Sequence, residues 1–454
     1  MRIPSSFALV CGAVALIGCG SPNPSGFSDA GLGPDTTTPD DDSGFPEFPD
    51  AEVEAAPPCV GLKCQQVTCG GGQKTTISGT VFAPNGTLPL YNVIVYVPNT
   101  PLDPIPSGAT CDTCGATVSG SPIVTTLTDP KGNFSLENVP VGANIPLVMQ
   151  VGKWRRQVTI ANVTQCVDNP VSVKSNGIET VTRLPKTRAE GNIPKIALTT
   201  GGCDPLGCLL PKVGIDASEY TVSSAAPQRV TMYAGSGGGG LSGIQPAPNL
   251  WGNLAELKKF DMAIFSCECS ENNGNKTSPQ VVQQYADSGG KIFGSHYHYT
   301  WFQNLIPAWQ STASWGFGSG STPAYVDQSF PKGKAMGDWL NNQGISPTNV
   351  PLTQTTQNAA GVNAPTTRWL YANGGTTTHY LSFNTPVGKP PAQQCGKAVY
   401  GGMHIGTGTV DASFPSPGCD GPLTPQEKVL AFLFFDLSSC VGDDKLPPVP
   451  PPPN

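Results

Sequence analysis

The sequence predicts a multidomain chain in which an all-β sandwich is followed by an α/β domain with a mostly parallel sheet. Three observations carry that expectation. Residues 74–183 hold short alternating strands with turn signals every ~8–12 residues, the pattern of a sandwich. Residues 190–442 alternate short unbroken apolar runs with helical patterns, as a parallel sheet covered on both faces does. Ahead of both, residues 20–58 are Pro, Gly, Ser, Thr and Asp with almost no apolar content. Such a stretch cannot bury enough surface to offset its ordering entropy, so it reads as a tether.

Composition bounds the function. Of 454 residues, 13% are charged, while 54 Gly and 47 Pro together approach a quarter, which favours turns and short strands. Residues 27–57 hold nine acids and no base, more than the whole net charge of −7. The remainder is therefore near neutral, which argues against a nucleic-acid partner.

Residues 1–18 carry Arg2 and then an apolar run over 7–18, too short to span a bilayer. The segment closes Leu16-Ile17-Gly18-Cys19, which resembles the bacterial lipoprotein lipobox. The resemblance implies a signal peptide over 1–18, a lipid on Cys19 and a membrane partner through that lipid. Gly20 and Ser21 follow, with no Asp after the cysteine; by the same resemblance this implies the outer membrane. No later run of ~18 apolar residues is present. The acidic tether then covers 19–58 and a Cys-rich segment 59–73.

An exported chain is oxidised, so its cysteines should pair. Setting aside Cys11 and Cys19, thirteen of the fifteen remain, so at least one is left over. Spacing suggests local staples among Cys59, Cys64 and Cys69, within Cys111-x-x-Cys114, between Cys203 and Cys208, and among Cys395, Cys419 and Cys440. Cys267 and Cys269 are expected to be paired. No second CxxC or nearby His turns Cys111 and Cys114 into a zinc site.

The sandwich is placed at 74–185. Asn85-Gly86 and Asp129-Pro130-Lys131-Gly132 mark its turns, and Phe134 and Leu136 share one face of a strand. Gly79-x-Val81, Pro89-Leu90, Val93-x-Val95, Thr128-Asp129-x-x-Gly132-x-Phe134 and Val139-Pro140-x-Gly142 resemble the carboxypeptidase regulatory-like domain, a transthyretin-like sandwich related to carbohydrate-binding-like folds. That resemblance implies a spacer or binding module. Trp154, Arg155 and Arg156 are read either as a sugar- or partner-facing patch or as one core Trp with two solvated bases.

The α/β domain is placed at 186–442, with strands at 193–200, 229–234, 260–267, 290–296, 378–384 and 397–405. Helices are expected at 204–214, 250–259, 278–288, 299–308, 332–343 and 424–438. The last opens with Thr424 as N-cap, Pro425 first and Glu427 third. The glycine run 234–243 lacks the lysine of a phosphate loop and is read as a flexible loop, a lid. Residues 443–454 are a proline-rich tail, read as inert.

Only four histidines occur, and His296 and His298 close one candidate strand. Glu268 follows another, and His404 a third; His379 opens a fourth. In parallel neighbours these ends meet on one rim, where such sheets bind ligands. Tyr285, Gly289, Gly290, Ile292 and Gly294 ahead of His296, with His404 after a late strand, resemble a class I glutamine amidotransferase-like, flavodoxin-like domain. In that family the elbow carries a nucleophilic cysteine. Here His296 stands at that position and His298 at the closing glycine, so cysteine-based glutaminase chemistry is excluded at the elbow.

Three uses of the rim stay open. Residues i and i+2 of an extended segment point the same way. His296 and His298 would then chelate Zn or another divalent transition metal with His404, Glu268 completing the donor set. Alternatively, Glu268 works with one histidine, His296 or His404, as a general acid/base pair. The third is a polar-aromatic rim with Tyr297, Tyr299 and Trp301 that holds loops or a neutral ligand. The leading expectation is a cell-envelope lipoprotein with a non-catalytic binding role toward carbohydrate or an envelope protein. The alternative is a hydrolase, with or without a metal, on an amidotransferase-like scaffold.

Overall fold

The structure, a computed structural model, describes residues 59–171, 182–319, 322–405, 414–415 and 419–453. The signal segment, the tether and Cys19 lie outside the described residues.

Seven strands come first, with period-two alternation clearest in the fourth. These are β1 (Thr76–Thr80), β2 (Ile94–Pro98), β3 (Pro122–Leu127), β4 (Asn133–Glu137), β5 (Gly142–Val151), β6 (Trp154–Val163) and β7 (Asp168–Pro170). In β4, Phe134 and Leu136 are buried between exposed Asn133, Ser135 and Glu137. The strands form a three-stranded sheet in the order β4-β1-β7 and a four-stranded sheet in the order β3-β2-β5-β6. The turn before β4 is held by Asp129, whose Oδ1 accepts from the amides of Lys131 and Asn133, each at 2.8 Å. Gly132 there has φ +78°, and a Cβ would meet the Val81 carbonyl at 2.9 Å, so the turn requires glycine.

A ten-stranded mixed sheet follows. Its principal strands are β8 (Ile196–Thr199), β9 (Val230–Ala234), β10 (Met262–Phe265), β11 (Lys291–Ser295), β12 (Thr367–Ala372), β13 (Thr377–Thr385) and β14 (Gly396–Gly401). They run in the order β9-β8-β10-β11-β14-β13-β12. The first five run parallel to one another, whereas β13 is antiparallel to both β14 and β12. The four residues of β8 and of β10 are all buried, which is why these strands read as unbroken apolar runs. Their register sets Phe265 beside Gly294, and Gly294 beside Tyr400, so β10, β11 and β14 end together.

Three longer helices form: α1 (Pro279–Asp287), α2 (Pro331–Asn342) and α3 (Pro425–Ser438). The helix expected at 204–214 shrinks to short turns where Pro205 and Pro211 interrupt it. That at 250–259 divides into two single turns, the second capped by Asn253. Residues 301–305 make one π turn, stopped before Pro307.

α3 has the capping box expected of Thr424 and Glu427. Apolar residues surround it because it is buried on both sides. Its Phe434 and Phe435 lie edge-on and tilted against Trp154 of β6, at 6.4 and 6.0 Å between centroids. Trp154 is thus a core residue, and Arg155 is buried too, donating to the Asp103 carbonyl at 2.5 Å. The Lys153 ammonium meets Asp261 at 2.7 Å, tying the small sheets to the edge of β10. From Pro58 onward the chain forms one compact unit.

The cysteines pair over long distances. Cys59–Cys64 is local, but Cys69 bonds Cys166, Cys111 bonds Cys395, and Cys114 bonds Cys440. Cys203 pairs with Cys269, and Cys208 with Cys419. The expected staples within Cys111-x-x-Cys114, between Cys203 and Cys208, and among Cys395, Cys419 and Cys440 therefore do not form. The fold seats each of these cysteines against a segment distant in sequence. Cys267, expected to be paired, is free and buried.

Candidate functional site

Three adjacent strand ends build the site. After β10 the chain continues Ser266-Cys267-Glu268-Cys269. After β11 it turns at His296, which has φ +38°, a left-handed conformation unusual for a non-glycine residue. After β14 it reaches His404 through Gly402 and Met403. The turn at His296 opens a short 3₁₀ segment, His296–His298, so residues 296 and 298 no longer share a face.

The result separates the two neighbouring histidines. His296 Nδ1 lies 2.8 Å from His404 Nε2, so one of the two nitrogens carries the shared proton. Cys267 Sγ lies 3.4 Å from the same His296 Nδ1. Cys267, His296 and His404 each offer one ligand atom within 4.8 Å of the others. His298 points elsewhere. Its Nε2 donates to the Ser266 carbonyl at 2.9 Å, and its Nδ1 accepts from Trp301 Nε1 at 3.1 Å. Both ring nitrogens are used and the ring is fully buried, so His298 has no lone pair for a metal. The structure therefore brings together His296 and His404 from the expected donor set, and supplies Cys267 in place of His298.

Burial sets the protonation states. It pushes His296 down to about 4, assisted by His404, and holds His404 below the usual imidazole range. It lifts the Cys267 thiol to about 11, opposed by the backbone amides of Tyr297 and Cys269 that point at the sulfur. Without a cation the trio is thus two neutral imidazoles and a thiol. Cys267 and His296 are buried and His404 half-buried, so the cluster opens on the His404 side.

Two buried carboxylates flank the trio. Asp204 accepts from Ser295 Oγ at 2.7 Å and from the Ile405 amide at 2.9 Å, so one side chain braces the residues next to both histidines. Burial pushes its carboxyl up to about 7. The Cys203–Cys269 disulfide joins the segment bearing Asp204 to the one bearing Cys267. Glu268 is buried; its Oε1 accepts from the Ser236 amide at 2.7 Å and its Oε2 has no hydrogen-bond partner. Burial raises its pKa, the Ser236 amide opposing. Glu268 makes no hydrogen bond to His296 or His404. His379 lies buried within β13, outside the cluster.

The glycine run is not a free lid. Gly235 and Gly238 are buried, and the Thr200 hydroxyl donates to the Gly238 carbonyl. A Cβ on Gly235 would come within 2.1 Å of the Thr200 carbonyl, so glycine permits this close packing on the end of β8. Sequence reading missed Asp204 and the role of Cys267. The odd cysteine count was the one available signal for the latter.

No family model and no curated protein matches the sequence. Solved structures similar to the chain include a ThuA-like protein from Bacteroides uniformis, 12% identical over 53% of this chain and 89% of that one, with a TM-score of 0.31. A cytoplasmic protein from Salmonella typhimurium is 10% identical over 53% and 98%, with a TM-score of 0.28. PurLQS from Thermotoga maritima is 9% identical over 53% and 98%, also at 0.28. ThuA-like proteins have a glutamine amidotransferase-like fold; likenesses this distant carry no conclusion on function.

Proposed function

We propose that this chain is an exported binding protein of the bacterial cell envelope that holds a divalent transition metal, zinc foremost, at Cys267, His296 and His404. The observation that carries the reading is the meeting of three good donors, a thiol and two neutral imidazoles, within 4.8 Å. A thiolate with two imidazoles is a soft, nitrogen- and sulfur-rich set suited to zinc or copper. His296 Nδ1, His404 Nε2 and the Cys267 sulfur would be the atoms that hold the ion. With a metal bound, Cys267 would coordinate as the thiolate, its proton released to solvent. The orphaned Oε2 of Glu268 and the buried Asp204 carboxyl lie beside the trio, with Lys276 acting on Glu268, and a bound cation would favour the ionised form of both.

In this reading the small sheets form a carboxypeptidase regulatory-like sandwich that acts as a spacer or as a module for carbohydrate or an envelope protein. The larger part is a degenerate, flavodoxin-like amidotransferase-like domain whose elbow carries His296. The left-handed backbone at His296 supports the elbow. Six disulfides support an oxidising compartment. Anchoring is through lipid on Cys19, in the outer membrane; loss of labelled palmitate from Cys19→Ser tests it.

A second reading is a metal-dependent hydrolase. It is favoured by the count of donors, since a metal held by Cys267, His296 and His404 would have three protein ligands and could supply an activated water. Elemental analysis of the purified protein decides the first reading. One equivalent of metal, lost in His296→Ala with His404→Ala and retained in His298→Ala, is the expected result. Absence of metal after zinc loading overturns both. Metal without turnover of chromogenic ester and amide substrates leaves the binding role alone.

A further inference from the structure

A trough of about 540 Å³ lies between the small sheets and the proline-rich segment 446–451, and none of Cys267, His296 or His404 lines it. Its floor includes Ile94 of β2, Leu127 of β3 and Val151 of β5, with the 103–119 loop as one wall. We propose that this trough binds a small, neutral, mostly apolar ligand.

Size and rigidity come first. The volume falls in the range that takes a drug-sized molecule. Two cysteines of the loop wall are crosslinked, Cys111 to Cys395 and Cys114 to Cys440, so the cleft is preformed. The roof is also pinned. Pro451 is buried, and its carbonyl accepts from Thr125 Oγ1 at 2.5 Å. The proline-rich segment therefore packs across the trough as a strap.

Charge selects the class of ligand. Three acids and three bases line the trough: Asp103, Asp112, Asp443, Lys153, Arg155 and Lys332. The two lysines are already paired with acids, and the guanidinium is held by a backbone carbonyl. Lys153 meets Asp261 at 2.7 Å, Arg155 donates to the Asp103 carbonyl at 2.5 Å, and Lys332 lies 2.9 Å from both Asp436 and Asp444. Among the described lining residues acids and bases are equal in number, so the lining has no excess charge to recruit an ion. Among the described residues no aromatic ring lines the trough, so a sugar would find no stacking face there. Apolar contact is what remains to be satisfied. Leu446 and Val449 are 61% and 65% exposed, two of the four exposed large hydrophobic side chains among the described residues, and both face the trough. A bound apolar molecule would cover them.

The test uses the whole exported protein and a neutral naphthylamine dye that fluoresces in apolar sites. The expected result is saturable binding at one dye per chain, weakened about tenfold or more by Leu446→Asp with Val449→Asp. Because both side chains are exposed, the double variant remains folded, which circular dichroism checks. Val60→Asp, at a residue 70% exposed and outside the trough, leaves dye binding unchanged. No saturable binding, binding indifferent to the double variant, or equal loss in Val60→Asp overturns the proposal. So does a change of oligomeric state in the double variant without loss of dye, which would assign the strap to self-contact.

Discussion

His296 Nδ1 and His404 Nε2 lie 2.8 Å apart across 108 residues of chain. Parallel pairing of β11 with β14 brings the two rings to one rim, and Asp204 fixes both approaches through Ser295 and Ile405. Both rings are held neutral by burial, so the contact is a single N–H···N bond in which a metal ion can replace the proton.

Metal affinity should depend on a second tier of residues as well as on the donors. Asp204→Asn is expected to weaken zinc about 10–100-fold, the usual effect of an outer-shell partner, and removal of Cys267, His296 or His404 to cost more. Competition with a chelator of known affinity measures this. Equal affinity in the parent and Asp204→Asn would show that the brace does not matter.

His298 should matter for folding and not for metal. His298→Ala leaves the buried Trp301 Nε1 and the Ser266 carbonyl without their partner. The expected loss is about 1–3 kcal/mol per orphaned group, read as a lower urea midpoint with metal content intact. A variant that keeps its stability and loses its metal would reverse the assignment.

The thiol of Cys267 should be silent in the native state. Its side chain is wholly buried and burial lifts it to about 11. Peptide mapping after iodoacetamide should find Cys267 alkylated only when denaturant is present, and zinc should slow that reaction further. Rapid alkylation of the native protein would contradict the burial described here.

Acid should weaken one ion pair in a defined window. The Arg183 guanidinium, through hydrogen bonds of 2.7 Å to both carboxylate oxygens, holds Glu190 at about 2, against an ordinary value of 4.5. A depressed carboxyl stabilises the fold above its unfolded pKa and loses that contribution as pH falls through the folded one. The stability gap between the parent and Glu190→Gln should thus be full at pH ~6 and shrink below pH ~4. Urea midpoints at several pH values check it; a gap constant down to pH ~2.5 would rule the pair out as its source.

Local interactions were legible in the chain itself. The alternation in β4, the buried runs of β8 and β10, the Asp129 turn and the Thr424–Glu427 cap each depend on neighbours within a few residues, so composition and spacing expose them. The carboxyl-end rim and two of its histidines were legible for the same reason, because strand ends can be read from periodicity. The third donor was not. Cys267 looks like one of many cysteines until the fold pairs Cys269 with Cys203 and leaves it alone. His298 looks like a ligand until the left-handed turn at His296 ends the extended backbone and rotates the ring into the core. Asp204, Ser295 and Ile405 meet only when three separated segments are packed. Pairing and packing of this kind depend on distances through space, which tertiary structure sets and local sequence does not encode.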